Sequence, residues 1–236
     1  MNEPSEAMAS AQRWAHEQGY HLEYTTARAF RAAGFRATQG RTYRDPVTGR
    51  IREIDVTALA LIGDTTSDLL CIVECKATKV PWIVLTGTLS VEDATWVPIV
   101  SKPLANAFLR RTPLLRQAFP IDGPTGYSVV QAHSRAEPNP AYSALSQVVD
   151  ACVGVARQRE TSRVLCYPVV VIDSPLFALT YTHTGEESWS TRDWQRVVWS
   201  GSEHWDAPVA IDVVSSAVVE EHAKELLSGM LRLRAG

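Results

Sequence analysis

The sequence predicts an α/β protein in which helices flank a mixed β-sheet. Helical patterns alternate with clusters of strand patterns along the 236 residues, and 45% of the residues are hydrophobic, which is usual for a globular chain. A chain of this length buries roughly 70–75% of its unfolded surface, so it needs no disulfides to hold a core. We expect one domain over residues 1–236, with a core motif region at about 20–80 and a C-terminal α/β elaboration at about 164–236.

The N-terminal region begins with helix and continues with strands. Residues 4–33 are rich in alanine and contain no internal proline, so they predict a helix with a break at Gly19. Gly34 is suited to the position just after the helix end. Strand patterns follow at 35–44, 50–62 and 69–77, separated by polar turns at 45–49 and 63–68.

The remaining chain alternates strand and helix patterns. We predict helices at 104–119, with a break at Pro113, at 142–160 and at 215–233. Strands are predicted at 82–86, 127–133, 164–173, 177–183 and 209–214. The segment 177–183 closely follows 164–173, and we expect these two strands to form a hairpin.

Missing motifs argue against several classes of protein. The chain contains no G-x-S-x-G, Walker A or G-x-G-x-x-G sequence, which disfavours a serine hydrolase, a nucleotide-driven motor and a Rossmann dehydrogenase. Its six histidines form no H-x-x-x-H pair and its four cysteines no C-x-x-C pair, so a zinc site is not expected. Cys71 and Cys75 lie in an apolar strand pattern, where we expect buried, reduced thiols.

Hydropathy disfavours a membrane protein. The longest unbroken apolar runs, Ala58–Ile62 and Leu69–Val73, are far shorter than the roughly 20 residues that a membrane-spanning helix needs. The first residues show neither the basic nor the apolar region of a secretory signal. We therefore expect a cytoplasmic protein with no membrane partner.

Positive charge is concentrated in one window of an otherwise acidic chain. The window from residue 28 to residue 52 has a charge of +6. Because the net charge of the chain is −3, the remaining residues carry −9. A local basic face of this kind can contact phosphates, although a solvated face paired with acids from elsewhere explains it equally well. The candidate nucleic-acid-binding residues in this window are Arg28, Arg31, Arg36, Arg41, Arg44, Arg50 and Arg52.

The strands at 50–62 and 69–77 bring acidic residues together. A symmetric hairpin with its turn near residues 64–65 pairs residues whose numbers sum to 129, which sets Asp55 opposite Glu74. Lys76 shares a face with Glu74 because strand side chains alternate. A slip of one residue would replace Asp55 by Glu53 or Ile54.

Two carboxylates at about 5 Å separation are unfavourable unless a cation or a proton offsets their charge. A divalent hard cation such as Mg²⁺ suits such a site, with carboxylates, a carbonyl, waters and phosphate oxygens as ligands. The alternative is a structural ion pair at the strand end, from Lys76 to Glu74 or to Asp55.

This arrangement of residues resembles the motif of the PD-(D/E)XK nuclease superfamily. Asp55 lies on one strand of a hairpin, Glu74–Lys76 ends the next strand, and Glu23 lies on the preceding helix. Type II restriction enzymes, Holliday-junction resolvases, and Mrr-like and RecB-like nucleases share this motif on a mixed sheet flanked by helices. Asp55 follows Ile54 where the motif's name has proline, and the resemblance covers about residues 20–80.

The resemblance implies a restriction-endonuclease-like fold and a role for each motif residue. Asp55 and Glu74 would bind Mg²⁺ or Mn²⁺, with the backbone carbonyl of Cys75 as a further ligand. Lys76 would position the attacking water, and Glu23 would bind the metal directly or through water, or be a solvated helix acid. These four side chains, Asp55, Glu74, Lys76 and Glu23, are the candidate catalytic residues.

We expect a Mg²⁺-dependent nuclease that hydrolyses phosphodiester bonds in DNA, in restriction, repair or phage defence. A homodimer would supply two sites for two strands, and a regulatory or ATPase partner protein is a further expectation, since the chain has no Walker A sequence. Two alternatives remain open: an inactive protein of the same fold that binds nucleic acid or a partner protein, and a structural protein whose hairpin carries only salt bridges.

Two further groups of residues have open interpretations. Trp189, Trp194, Trp199 and Trp205 are spaced by 5, 5 and 6 residues, which fits neither helix nor strand. They could stack on bases, form a protein interface or fill a peripheral core. Gln147 and Asp150 lie on a predicted helix that could border the site.

Overall fold

The computed structural model describes residues 6–62, 68–87, 96–108, 124–159, 161–182, 184–200, 205 and 207–235. Five α-helices are described: α1 (Glu6–Glu17), α2 (Tyr20–Ala32), α3 (Lys102–Phe108), α4 (Pro140–Gln158) and α5 (Val219–Ala235), the last preceded by a 3₁₀ turn at Ser216–Val218. Eleven strands are described: β1 (Arg36–Arg44), β2 (Ile51–Ala60), β3 (Asp68–Lys76), β4 (Trp82–Thr86), β5 (Ile99–Val100), β6 (Gly126–Gln131), β7 (Val164–Ile172), β8 (Leu176–Tyr181), β9 (Glu187–Arg192), β10 (Trp194–Trp199) and β11 (Val209–Ser215).

The described strands form one mixed sheet, which confirms the predicted α/β class. Its order is β1-β2-β3-β7-β11-β10-β6-β4-β8-β9, with β5 paired to β7. β1, β2 and β3 are antiparallel neighbours, whereas β3 with β7 and β7 with β11 run parallel. Because a parallel pair needs a long crossover, the helices lie on the faces of the sheet.

The helices cover the sheet from both sides and define two cores. On one side, which we call the α2 face, α2 and α5 pack against the odd-numbered side chains of β3 and β7. On the other side, the α4 face, α4 packs against the even-numbered side chains of the same strands. Helix α4 begins at an Asn139 cap that accepts a hydrogen bond from the backbone N–H of Ala141. Gly154 lets this helix lie close to β1, because a Cβ there would stand 2.5 Å from Cδ2 of Tyr43.

A buried charged cluster lies under α5, where the sequence indicates only apolar strand. The Arg196 guanidinium on β10 is bidentate to Asp212 on β11, with Nε–Oδ1 at 2.6 Å and Nη2–Oδ2 at 3.0 Å. The Tyr167 hydroxyl donates to Asp212 Oδ2 at 2.9 Å, and His222 Nε2 lies 3.2 Å from the same oxygen. Burial raises the pKa of Asp212, but the Arg196 charge and these hydrogen bonds outweigh it and hold that pKa well below its usual range.

One predicted pairing is wrong. The hairpin predicted for 177–183 with 164–173 is not found among the described residues, because both edges of β7 are occupied by β3 and β11. Strand β8 instead crosses to the far part of the sheet, parallel to β4 and antiparallel to β9.

The C-terminal segment 164–236, expected as an elaboration, contributes β7 and β11 to the middle of the sheet. The predicted helix at 104–119 is described as α3 up to Phe108, and its remainder at 109–119, with the predicted break at Pro113, lies outside the described residues.

Two sequence expectations can be compared directly with the described residues. No helix there is long and apolar enough to cross a membrane. All four cysteines are free thiols; Cys71, Cys152 and Cys166 are buried, and Cys75 is half-buried.

Candidate active site

The hairpin register predicted from the sequence is confirmed. Val56 pairs with Val73 and the ladder continues to Ala60 with Leu69, so paired numbers sum to 129 as expected. Beyond Val56 the backbone pairing between β2 and β3 stops. There Oδ2 of Asp55 accepts a hydrogen bond of 2.7 Å from the backbone N–H of Cys75, so a carboxylate stands where a strand carbonyl would.

At the same point the side chains of β1 and β2 switch from one face of the sheet to the other. This switch explains why the pairing between β2 and β3 stops. Val56 packs in the core of the α2 face, yet Ile54, two positions earlier, packs in that of the α4 face. Ala37 and Tyr43 on β1 differ in the same way, although both are odd-numbered. Between them lies Gly40 with φ +65°, a conformation that costs little only for glycine. The reversal keeps the β1–β2 register, with paired numbers summing to 95 on both sides of it.

Glu74 and Lys76 share the α4 face, as their spacing predicts. Nζ of Lys76 donates to Oε1 of Glu74 at 2.6 Å and to Oε1 of Gln147 on α4 at 3.2 Å. Gln147 therefore borders the site, as its position in the sequence suggested, and it fixes the direction of the ammonium group. A groove of about 300 Å³ opens here, with Asp55, Glu74 and Gln147 in its wall.

Glu23 approaches the same carboxylates from helix α2. Partial burial and repulsion from Asp55, Glu53 and Glu74 raise the pKa of Glu23 to about 7. Glu53 also lines the groove, and sequence reasoning considered it only as the result of a register slip. In the structure Glu53 lies beside Gly40, where a Cβ would stand 3.2 Å from Oε1 of Glu53, and the sequence carries no signal of this proximity.

The site carries more negative charge than its own groups offset. Burial raises the pKa of Glu74, repulsion from Asp55 adds to this, and the contact with Lys76 opposes it. Burial also raises the pKa of Asp55, against the lowering effects of the Cys75 N–H and Lys76. A cation bound between these carboxylates would offset the repulsion between them and favour their ionised forms.

The donor set fits a hard divalent cation. Mg²⁺ prefers oxygen ligands and is usually held by one or two carboxylates, waters and substrate phosphates, and Asp55 and Glu74 supply the carboxylates. Sγ of Cys75 points to the other side, 3.8 Å from Oγ1 of Thr26, and burial raises the thiol's pKa, so only its backbone oxygen is available. Within the described ranges, no three His, Cys, Asp or Glu side chains are already arranged as a metal cage.

The seven arginines of the basic window are all exposed but do not form one patch around the groove. Of the seven, Arg52 lines the groove, and it also forms an ion pair with Asp45 at 2.5 Å. Arg28 and Arg31 lie on α2. The others are on β1, which carries Arg36, Arg41 and Arg44, and in the turn after it, which carries Arg50.

The tryptophans of the C-terminal region have different environments. Trp199 is buried in the α4-face core with its ring 5.5 Å from that of Tyr142, and Trp194 packs against His222 at 4.9 Å. Trp205 is half-buried against the α4-face core, whereas Trp189 is exposed. Three of the four thus fill peripheral core, which was one of the interpretations left open.

Comparison of the chain with protein-family models, with curated proteins and with solved structures finds no match.

Proposed function

We propose that this protein is a metal-dependent nuclease with a restriction-endonuclease-like core that hydrolyses DNA phosphodiester bonds. The observation that carries the proposal is the convergence of Asp55, Glu74 and Lys76 at the point where the β2–β3 pairing stops. A structural strand has no need of two half-buried carboxylates whose pKa values are both raised.

Each side chain has a distinct role in this proposal. Asp55 and Glu74 hold the cation, which when bound acidifies a water and neutralises charge on the phosphate. Glu23 binds it directly or through water. Lys76, oriented by Gln147, holds the attacking water and offsets the negative charge that develops on the phosphate. Arg52, in the wall of the groove, contacts a substrate phosphate.

The test is incubation of purified protein with supercoiled plasmid in the presence of Mg²⁺, Mn²⁺ or EDTA. We expect metal-dependent nicking or linearisation of the plasmid. The cleavage rate should fall at least about 100-fold in each of the variants Asp55→Ala, Glu74→Ala and Lys76→Ala. Glu220→Ala is the matched control, because it breaks an ion pair of the same 2.6 Å length on the exposed face of α5. Full activity in any of the three site variants, with an unchanged fold by circular dichroism, would contradict the proposed site.

One observation favours a second candidate, a structural protein whose hairpin carries only salt bridges. Lys76 already forms an ion pair with Glu74, as a structural pair would. Calorimetric titration with Mg²⁺ separates the two, because only a functional site shows binding that Glu74→Ala abolishes. The Tm of Lys76→Ala gives a second criterion: a structural pair predicts a loss, whereas a functional site predicts an unchanged or higher Tm.

A further inference from the structure

Three large aromatic side chains are exposed where helices α1 and α2 meet. Trp14, Tyr20 and Tyr24 are 55%, 51% and 54% exposed. The rings of Trp14 and Tyr20 are in contact, with centroids 5.7 Å apart and planes inclined by 49°. Helix α1, which carries Trp14, buries none of its residues, so the position of Trp14 is not explained by a core packed beneath α1.

The aromatic residues continue into a basic stripe along α2. At 3.6 residues per turn, Tyr20, Tyr24, Arg28 and Arg31 fall within an arc of about 80° of the helix, and all four are exposed. Glu23 lies on the flank of this arc and is half-buried towards the other carboxylates of the site. We call these four residues together with Trp14 the α2 stripe.

The α2 stripe begins next to the end of β3. Gly19 joins the two helices with φ +87°, and a Cβ built there would stand 3.6 Å from Cβ of Ala77. Ala77 directly follows Lys76 in the chain. A ligand lying along the stripe therefore passes from exposed aromatic rings, beside Glu23, to two arginines.

A row of exposed aromatic rings followed by two arginines matches the chemistry of an unpaired nucleic-acid strand. Every base has a π-face that stacks on tyrosine or tryptophan, and arginine contacts the phosphates between bases. Bases inside a duplex are already stacked on each other, so their faces are not accessible to the rings.

We propose that the α2 stripe binds single-stranded nucleic acid and leads it to the carboxylates, so that the substrate is a single strand or the single-stranded part of a branched or frayed duplex. This inference rests on the proposed nuclease function for the fate of the strand. The stacking itself needs neither metal nor cleavage.

The test measures binding separately from cutting. Glu74→Ala protein in EDTA is titrated into a fluorescein-labelled oligothymidylate and into a blunt hairpin duplex, and anisotropy is recorded at two salt concentrations. We expect the single strand to bind more tightly than the hairpin duplex. Each of the variants Trp14→Leu, Tyr20→Leu and Tyr24→Leu should lower the affinity for the single strand by about 5- to 150-fold. Arg28→Ala should lower the slope of log affinity against log salt by about 0.7, the value of one single-strand phosphate contact.

Trp189→Leu is the matched control, because Trp189 is 52% exposed on β9 and lies outside the stripe. Its affinity for the single strand should equal that of the parent protein. Equal binding of strand and hairpin, or equal losses in the stripe and control variants, would overturn the inference. So would a change in oligomeric state, seen by size exclusion, in the stripe variants alone, since the stripe would then bind a second copy.

The two proposals fail in different ways. Cleavage of plasmid that is lost in Glu74→Ala, with no effect of the stripe on strand binding, retains the nuclease and refutes the inference. Stripe-dependent strand binding, with no metal-dependent cleavage of single-stranded, duplex or RNA substrates, retains the stripe as a binding surface and refutes the nuclease.

Discussion

Replacing Asp212 by alanine removes the anion from a cluster that has almost no access to water. The exposed fractions of Arg196 and Asp212 are 1% and 0%. The substitution therefore leaves the guanidinium buried without its bidentate partner, and the Tyr167 hydroxyl without its 2.9 Å acceptor. The rings of Tyr167 and Trp194, each about 6 Å from Cζ of Arg196, compensate only a small part of a full positive charge.

The expected loss follows from the cost of removing one partner of a buried ion pair. Removing one partner of a buried ion pair costs about 3–5 kcal/mol, which in a chain of this size corresponds to a fall in Tm of about 6–20 °C. The exposed pair of Lys224 and Glu220 has the same 2.6 Å contact distance, but its side chains are 54% and 41% exposed. Glu220→Ala should therefore cost far less than Asp212→Ala, because solvent screens an exposed pair.

Urea unfolding at pH 7, followed by circular dichroism, measures both values. A double variant, Arg196→Met with Asp212→Leu, removes both charges and should recover most of the stability lost in Asp212→Ala. If Asp212→Ala cost less than about 1 kcal/mol, or no more than Glu220→Ala, the assignment of a closed and desolvated cluster would be wrong.

Two further substitutions test the site and its support. Glu74→Gln should raise the unfolding free energy at pH 7 by about 0.5–2 kcal/mol while abolishing cleavage, because burial and Asp55 raise the pKa of Glu74 and its ionised form is unfavourable in the folded chain. This gain should vanish below about pH 4, where the wild-type Glu74 carboxyl is protonated in both the folded and the unfolded chain, and it should grow as the pH rises towards the raised pKa. A gain in unfolding free energy that does not depend on pH in urea titrations would contradict the electrostatic explanation. Gly154→Ala should lower the Tm although alanine favours helix, because its Cβ would meet Cδ2 of Tyr43 at 2.5 Å and the backbone oxygen of Arg44 at 2.8 Å; a higher Tm by scanning calorimetry would show that β1 can move away from α4.

The parts of the fold that the sequence predicts correctly are those encoded by neighbouring residues. The break at Gly19 and the helix end at Gly34 follow from the conformational freedom of glycine, and both glycines have positive φ. The β2–β3 register follows from the length of a polar turn and from strand alternation, which is why Asp55 could be placed near Glu74. These patterns act over fewer than about 20 residues and need no knowledge of the remaining chain.

The errors and omissions concern contacts across the sheet and one local departure from regular strand alternation. The pairing of β8 with β4 joins segments that no local pattern connects, so the sequence favoured a hairpin with the nearer β7. The partner of Asp212 is Arg196, 16 positions earlier on a neighbouring strand. In the sequence Asp212 is an isolated acid in an apolar run, and nothing there indicates which arginine it would contact. The change of face at Gly40 also escaped prediction, because regular alternation was assumed through the whole of β1 and β2.

The position of β3 in the sheet has a consequence for the timing of synthesis. One edge of β3 pairs with β2, but the other pairs with β7, where Asp68 meets Val164 and Lys76 meets Ile172, 96 positions later. During synthesis on the ribosome, β7 emerges well after the site residues Asp55, Glu74 and Lys76. Until β7 has been made, the edge of β3 that pairs with it is unpaired. A truncated or nascent chain carries the residues of the site without their arrangement, so the proposed nuclease becomes competent only after its C-terminal half has been made.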